Sequence, residues 1–516
     1  MSTTSPRAET EPQDETGTRP VRLLKTMRWY DGFIVCLSAS GFMLSTLGYS
    51  IGALGALGAL ALWAISATMG AVQTRIFTEP AAMFQDSTGG LAVYAREAWR
   101  RRLNVLSPIS GFAYWIAYTS TLSVFGLLAA DLMQAEWFPK STWKLSLGFS
   151  VSLAQLIAVA LIILVWTINV AGMRPTRVFG YVTGGIFVFL LAIFAFLPYL
   201  SGHFHASLLH WNLGQPGQQW GGLRLALVYL YLMGWSSYPS EQAATFAPEY
   251  HDTIKDTRRG LMSSAGFTFA VFLLVPLGLG GTQPDTVIGN NPVGFYVTSL
   301  HEMLGSAGST LAVILILIAC LLTMNASTMN ASRALFATSE KGFTLKVFGR
   351  LNRHHVPANA MTLDMVVNIF VVIVINSVIG IVAASNMAYF VVIILALSGV
   401  AMLRADVPGQ PRPIRLKSFW ITVAVFLAVA NAVLLCIGSV SFNLTGYGGL
   451  KEFFIGLGAI AMGFVLYVWR VYVQDRGKIR WRDTDDYVSP LAGLGPLVEP
   501  PDPVVEPPAP AAPVSG

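Results

Sequence analysis

Charge is what this sequence is shortest of. Only 12% of its 516 residues are Asp, Glu, Lys or Arg, against 54% apolar, and that balance excludes a string of ordinary soluble domains, in which about a quarter of residues are charged. Cysteine is nearly missing: Cys36, Cys320 and Cys436 stand far apart inside apolar runs, which excludes a disulfide framework or a Cys-based zinc site. There is no phosphate-cradling loop ending in Gly-Lys-Ser/Thr, so an ATP-driven pump is rejected. No nucleophile–base pair and no Glu-x-x-His motif stands out, and neither an enzyme nor a cofactor or metal centre is expected. Residues 1–28 are too polar for a cleavable signal peptide, so the first apolar run is expected to direct the chain to the membrane.

What the chain has instead is apolar runs of about 18 residues or more, each long enough to cross a hydrocarbon core of about 30 Å. They predict an all-α polytopic membrane protein of about twelve spans, at 31–52, 56–78, 107–134, 145–170, 177–199, 222–248, 260–282, 308–338, 359–382, 386–404, 418–440 and 452–474. An even number puts both tails on one side. With the tails cytoplasmic, all of the 33 Lys and Arg lie inside except Lys140, Lys144, Arg224 and Lys451, the asymmetry that the positive-inside rule requires. The net charge of +6 then follows from orientation in a plasma (inner) membrane and implies no nucleic-acid partner. Residues 1–27 read as a disordered tail. Residues 475–516 read as a second tail, basic at first and Pro-rich after Tyr487.

Two spans are interrupted. In span 6 an apolar helix reaches Trp235, meets Ser236-Ser237-Tyr238-Pro239-Ser240-Glu241, and resumes through Phe246. Pro239 lacks an N–H and crowds the preceding turn, and in a bilayer that is tolerated only where the freed backbone is buried in protein or lines a cavity. Glu241 at that depth marks a functional site by default. Span 1 carries Ser38-Ala39-Ser40-Gly41, followed by Ser45, Thr46 and Gly48, small residues that suit either a backbone approach to ligand or close helix packing. Each interrupted span opens a block of five, and an odd block inverts its second copy, so the pair points to a transporter's central site.

Four motifs, in order, resemble the amino acid–polyamine–organocation superfamily of secondary transporters over about residues 30–475. They are Ala39-Ser40-Gly41-Phe42-Met43 in span 1, Glu79 to Gly90 after span 2, Trp235 to Glu241 in span 6, and Ser332-Arg333-Ala334-Leu335 with Lys341-Gly342, Arg350-Leu351-Asn352 and Pro357 after span 8. The resemblance implies a leucine-transporter-type fold. Its ten-helix core, residues 28–404, holds inverted repeats at about 31–199 and 222–404, and spans 11 and 12 fill 405–474. It also implies alternating access for an amino acid or small organic amine, by symport or exchange. Ser40 and Gly41 would offer backbone N–H groups to a substrate carboxylate, Trp235 would cover the substrate, and Glu241 would serve the gate or the coupling route. Span 5 lacks the lysine that replaces sodium in some proton-coupled relatives, yet a proton remains the expected coupling ion ahead of sodium. Pro239, Pro80 and Gln85 also depart from the family pattern.

The expected substrate-binding set is therefore Ala39, Ser40, Gly41, Phe42, Tyr118, Trp235, Ser236, Ser237 and Glu241, with Trp235, Glu241, Thr323 and Ser327 as coupling or gating candidates. Thr323, Ser327 and Asn330 share one face of span 8 and suit either a sodium ion or interhelical hydrogen bonds. Tyr118 and Thr121 in span 3 suit a pocket wall or plain packing. Asp364, Asn368 and Asn376 in span 9 suggest a polar seam, with Asp364 near enough to the cytoplasmic end to be wet. Arg96, Arg100, Arg101 and Arg102 read as orientation determinants that touch anionic headgroups. His203-x-His205 and His210 lack the further ligands a metal would need. The rival to a transporter is a nutrient receptor of the same fold, favoured only by the Pro-rich tail.

Overall fold

The computed structural model describes residues 23–146, 150–374, 378–441, 444 and 449–487. Nearly all of this is helix. Among the described residues nine helices are long and apolar enough to cross a membrane, and the pair Trp29–Ser45 and Leu47–Leu54, bent by 43°, raises the number to ten at most. Two expected spans fall short of that measure. Span 6 is a 15-residue helix, Leu223–Ser237, which Pro239 converts into a 3-10 helix, Pro239–Glu249. Span 9 is the 17-residue apolar helix Ala358–Val374.

Several expected boundaries move. Span 4 begins at Leu153 rather than 145, because Ser152 and Gln155 form a reciprocal capping box that satisfies two otherwise orphaned donors; the preceding residues form a small antiparallel hairpin, Lys144–Ser146 with Ser150–Ser152. Span 10 begins at Val378, earlier than expected, and Asn376 lies outside the described residues. Most of the expected N-terminal tail lies outside them too, but its last residues are docked. The N–H groups of Thr26 and Met27 both donate to the Glu249 carbonyl, at 3.0 and 2.9 Å, and Met27 forms a β-bridge with Tyr250.

The broken spans lie against each other at the centre. Thr46 and Ser236 share a hydrogen bond of 3.2 Å, and the Cys36 thiol donates to the Ser240 carbonyl. Span 2 (Ala56–Met83) runs along span 7 (Thr253–Gly280), with the Trp63 and Phe272 rings stacked at 4.9 Å. Span 8 (Ser306–Glu340) closes on span 1 at Gly41, where an added Cβ would stand 2.2 Å from Thr323 Oγ1. The Gly89-Gly90 pair clamps the 3-10 half of span 6: Gly89 N–H and Thr88 Oγ1 both donate to the Thr245 carbonyl, at 3.3 and 2.7 Å. Both glycines have positive φ, 110° and 51°, a backbone region costly for any residue with a Cβ.

Both described ends of the chain gather at one end of the bundle, held by ion pairs. Arg333 and Glu249, wholly buried, pair at 2.5 Å, and the guanidinium lies over the Phe246 ring. Glu79 accepts two bonds from Arg404 at 2.6 Å and one from Leu416 N–H at 2.8 Å. The arginines expected to face headgroups do something else. Arg96 and Arg100 are buried on Glu97, and Arg102 pairs with Asp406. Arg100 also holds residues 481–487, which run as a strap across this face: its side chain pairs with Asp483 at 3.1 Å and donates to the Asp485 carbonyl at 2.7 Å. Asn104 N–H donates to the Trp481 carbonyl at 2.8 Å. Tyr487 then packs on Phe84 and shares a 2.8 Å hydrogen bond with Ser87. The Pro-rich stretch 488–516 lies outside the described residues.

Two stability experiments follow from this packing. Gly41→Ala should cost about 1–3 kcal/mol by overpacking, and Thr323→Ala in the same chain should recover most of it; no recovery in thermal unfolding would mean that the Gly41–Thr323 contact does not limit helix approach. Truncation after Asp475 should lower the melting temperature by several degrees, whereas truncation after Tyr487 should leave it unchanged. Equal melting temperatures for the two truncated chains would show that the strap contributes nothing.

Candidate functional site

At Pro239 span 6 passes from α-helix to 3-10 helix, and Glu241 lies near the start of that 3-10 segment. There the carboxylate is 1% exposed and accepts three phenolic hydrogen bonds. Tyr118 donates to Oε1 at 2.6 Å, Tyr389 to the same oxygen at 3.2 Å, and Tyr114 to Oε2 at 2.8 Å. Tyr114 and Tyr118 are one turn apart on span 3 (Leu106–Thr119, continued by Thr121–Trp137), so both hydroxyls point the same way. Tyr389 comes from span 10 (Val378–Asp406). Among the described residues no Lys, Arg or His forms an ion pair with Glu241. Hydrogen bonds to a charged group are each worth about 1.5–3 kcal/mol, yet a buried carboxylate without a countercharge remains costly. The arrangement is pre-set to receive a proton or a cation.

Around Glu241 the expected residues separate into groups. Trp235 lies edge-on to Phe42, with ring centroids 4.5 Å apart, and its indole donates to the Ala117 carbonyl at 3.2 Å; this aromatic pair roofs the junction of spans 1 and 6. Ser236 is taken up by span 1, bonding Thr46 and the Phe42 carbonyl at 3.2 and 3.3 Å. Ser237 turns to span 2 and shares a 2.6 Å hydrogen bond with Ser66. Ala39, Ser40, Thr323 and Ser327 are all wholly buried. Among the described residues the hydroxyls of Ser40 and Ser327 have no hydrogen-bond partner, whereas Thr323 donates to its own helix at Ala319.

The break in span 1 falls in the later part of the expected interruption. Helix continues through Phe42, a 3-10 turn occupies Met43–Ser45, and helix restarts at Leu47. Ser40 and Gly41 therefore sit within the helix, and the groups freed from it belong to residues 42–46. Their carbonyls are served in place: Phe42 by Ser45 Oγ at 2.8 Å, Leu44 by the Tyr296 hydroxyl at 3.2 Å. Asp364, read either as part of a polar seam or as wet, is fully buried. Sequence reasoning missed Tyr114 and Tyr389. The four-residue spacing of Tyr114 and Tyr118 was the available signal for the first; nothing local marks Tyr389, which reaches Glu241 only through the packing of span 10.

This arrangement sits within a recognisable family. The sequence model described as amino acid permease matches residues 32–466. The chain is 23% identical over 469 residues to the protein named "Putative arginine/ornithine antiporter" of Bacillus subtilis (strain 168), covering 83% of this chain and 96% of that one. It is 24% identical over 362 residues to amino-acid permease RocE of the same strain, covering 67% and 72%. Arginine/ornithine antiporter ArcD2 of Lactococcus lactis subsp. cremoris (strain MG1363) matches at 24% over 309 residues, 55% of this chain and 59% of that one. The chain therefore belongs to the amino acid permease family of the amino acid–polyamine–organocation superfamily and is a multi-pass membrane transporter of amino acids, not an enzyme.

Proposed function

We propose that this permease carries a cationic amino acid, such as arginine or ornithine, by exchange or proton-coupled symport through a site centred on Glu241. The observation that carries this reading is a buried carboxylate held by three tyrosine hydroxyls with no cation of the protein beside it. Its charge is balanced in turn by the substrate's cation and by a proton. The substrate carboxylate goes to the broken backbone of span 1, between Gly41 and Leu47, at the positive end of the helix that restarts there. Ser40 and Ser327, whose hydroxyls have no partner among the described residues, supply further hydrogen bonds.

The cycle rocks spans 1, 2, 6 and 7 against the rest, as two inverted five-span repeats. The close packing of span 2 on span 7 and of span 1 on span 6 supports that division. The chain lies in the plasma (inner) membrane with both termini cytoplasmic. Arg and Lys asymmetry supports the orientation, and the meeting of both described termini at one end of the bundle supports an even number of spans.

Purified protein in proteoliposomes tests the reading. Loaded with unlabelled arginine, the vesicles should take up labelled arginine or ornithine faster than labelled neutral amino acids; exchange of neutral amino acids alone would overturn the substrate class. Glu241→Gln removes the charge while keeping the size. It should weaken arginine relative to a neutral analogue by about 10- to 150-fold, the equivalent of one charged hydrogen bond of about 1.5–3 kcal/mol. An equal effect on both substrates, read from competition binding, would show that Glu241 does not face the substrate cation.

A further inference from the structure

Span 3 presents a second pair of donors on the side away from Glu241. Trp115 and Thr119, one turn apart and each next in sequence to a Glu241-binding tyrosine, both donate to Asp364 Oδ1, at 2.6 and 2.9 Å. Asn368, one turn along span 9, donates to Thr119 Oγ1 at 3.0 Å and accepts from Ser123 N–H at 3.1 Å. Asp364 is 0% exposed, and its other oxygen, Oδ2, has no hydrogen-bond partner. The same helical turn thus carries donors to two buried carboxyls, one on each side.

The charged and titratable groups on the surrounding elements are committed elsewhere. On span 3, Tyr114 and Tyr118 point to Glu241, and Asp131 and Glu136 lie three or more turns beyond Thr119. On span 8, Arg333 is consumed by Glu249, Glu340 lies at the end of the helix, and Cys320 is a buried thiol. Tyr389 on span 10 bonds Glu241 and Arg404 bonds Glu79. Leu153–Val170 of span 4 and the rest of Ala358–Val374 contain no titratable side chain.

We propose that Asp364 is a second proton-carrying carboxyl of the transport cycle, linked to the Glu241 site through the turn of span 3 that both carboxyls grip. The linkage rests on the reading of Glu241 as the substrate-site carboxylate. One proton from water binds Oδ2 and later returns to water, with no other bond made or broken. When Asp364 is ionised, its bonds from Trp115 and Thr119 become charge-assisted and shorter. That draws their turn toward span 9 and takes the Tyr114 and Tyr118 hydroxyls with it.

Trp115 makes the proton visible without transport, because its indole bonds the carboxyl directly. Intrinsic fluorescence of the purified full chain is titrated with pH in the wild type, Asp364→Asn, Trp115→Phe and Thr119→Val, and arginine exchange is measured over the same range. A titrating component should be present in the wild type, lost in Asp364→Asn and Trp115→Phe, and moved in midpoint by Thr119→Val. Asp364→Asn should also lose the matching limb of the exchange profile. Identical fluorescence titrations in all four proteins would overturn the proton. A wild-type exchange profile in Asp364→Asn would overturn the linkage and leave Asp364 a structural carboxyl. If Asp364→Asn does not fold, the other two variants decide. Failure of the wild type to exchange arginine sinks the substrate reading and the linkage built on it, while the fluorescence still decides the proton.

Discussion

A chain that crosses hydrocarbon must satisfy every backbone N–H and C=O from within, and the two breaks in this one organise everything near them. Span 1 opens at residues 43–46, and its freed carbonyls find Ser45, Ser236 and Tyr296. Span 6 opens at Pro239 and tightens into a 3-10 helix, and its carbonyls meet Cys36 from span 1 and Thr88 and Gly89 from the segment after span 2. Neither break could face lipid, so each must be wrapped by other helices. The site is central because the breaks are.

The buried carboxylates divide by what neutralises them. Glu79, Glu97 and Glu249 are held by arginines at the end of the bundle where the termini meet. Removing one partner of such a buried pair costs about 3–5 kcal/mol, because it leaves the other charge uncompensated. Glu241 and Asp364 have only neutral donors, all from tyrosine, tryptophan and threonine. Neutral donors stabilise a charge without cancelling it, which leaves these two groups able to change state at little structural cost. Both depend on the same turn of span 3.

What could be read in advance was what local chemistry dictates. Pro239 and Glu241 announce the broken span because a bilayer admits a proline and a carboxylate together in an apolar run only where protein surrounds them. Apolar length located the spans, and the arginine-rich turns located one end of the bundle. The break in span 1 was located only to a stretch, because small residues from Ser38 to Gly48 permit unwinding without requiring it. Gly41 is small in order to admit Thr323, a packing demand set by span 8. For Asp364 the sequence left a polar seam and a wet position both open; its burial depends on Trp115 and Thr119, far away in sequence. Arg100 was assigned to headgroups because nothing in its neighbourhood reveals that residues 483 and 485 return to it.

The two closures of the site differ in kind, and the difference bears on how the cycle runs. Toward the terminal end, opening must part Arg333 from Glu249 and release Thr26 and Met27 from the Glu249 carbonyl, which exposes two charges. On the other side the closure is the Trp235–Phe42 edge contact and the Thr46–Ser236 hydrogen bond, neutral interactions of about 0.5–1.5 kcal/mol each. Charges gain hydration when they are exposed and neutral rings lose by it, so the ion-paired gate recovers in water much of what it gives up in contact. An ion pair that is strong when dry and dispensable when wet favours the fully closed and the fully open gate over anything between. The aromatic side yields gradually. On the proposed cycle the ion-paired side is the all-or-none gate, and Glu249 belongs to the same 3-10 segment as Glu241.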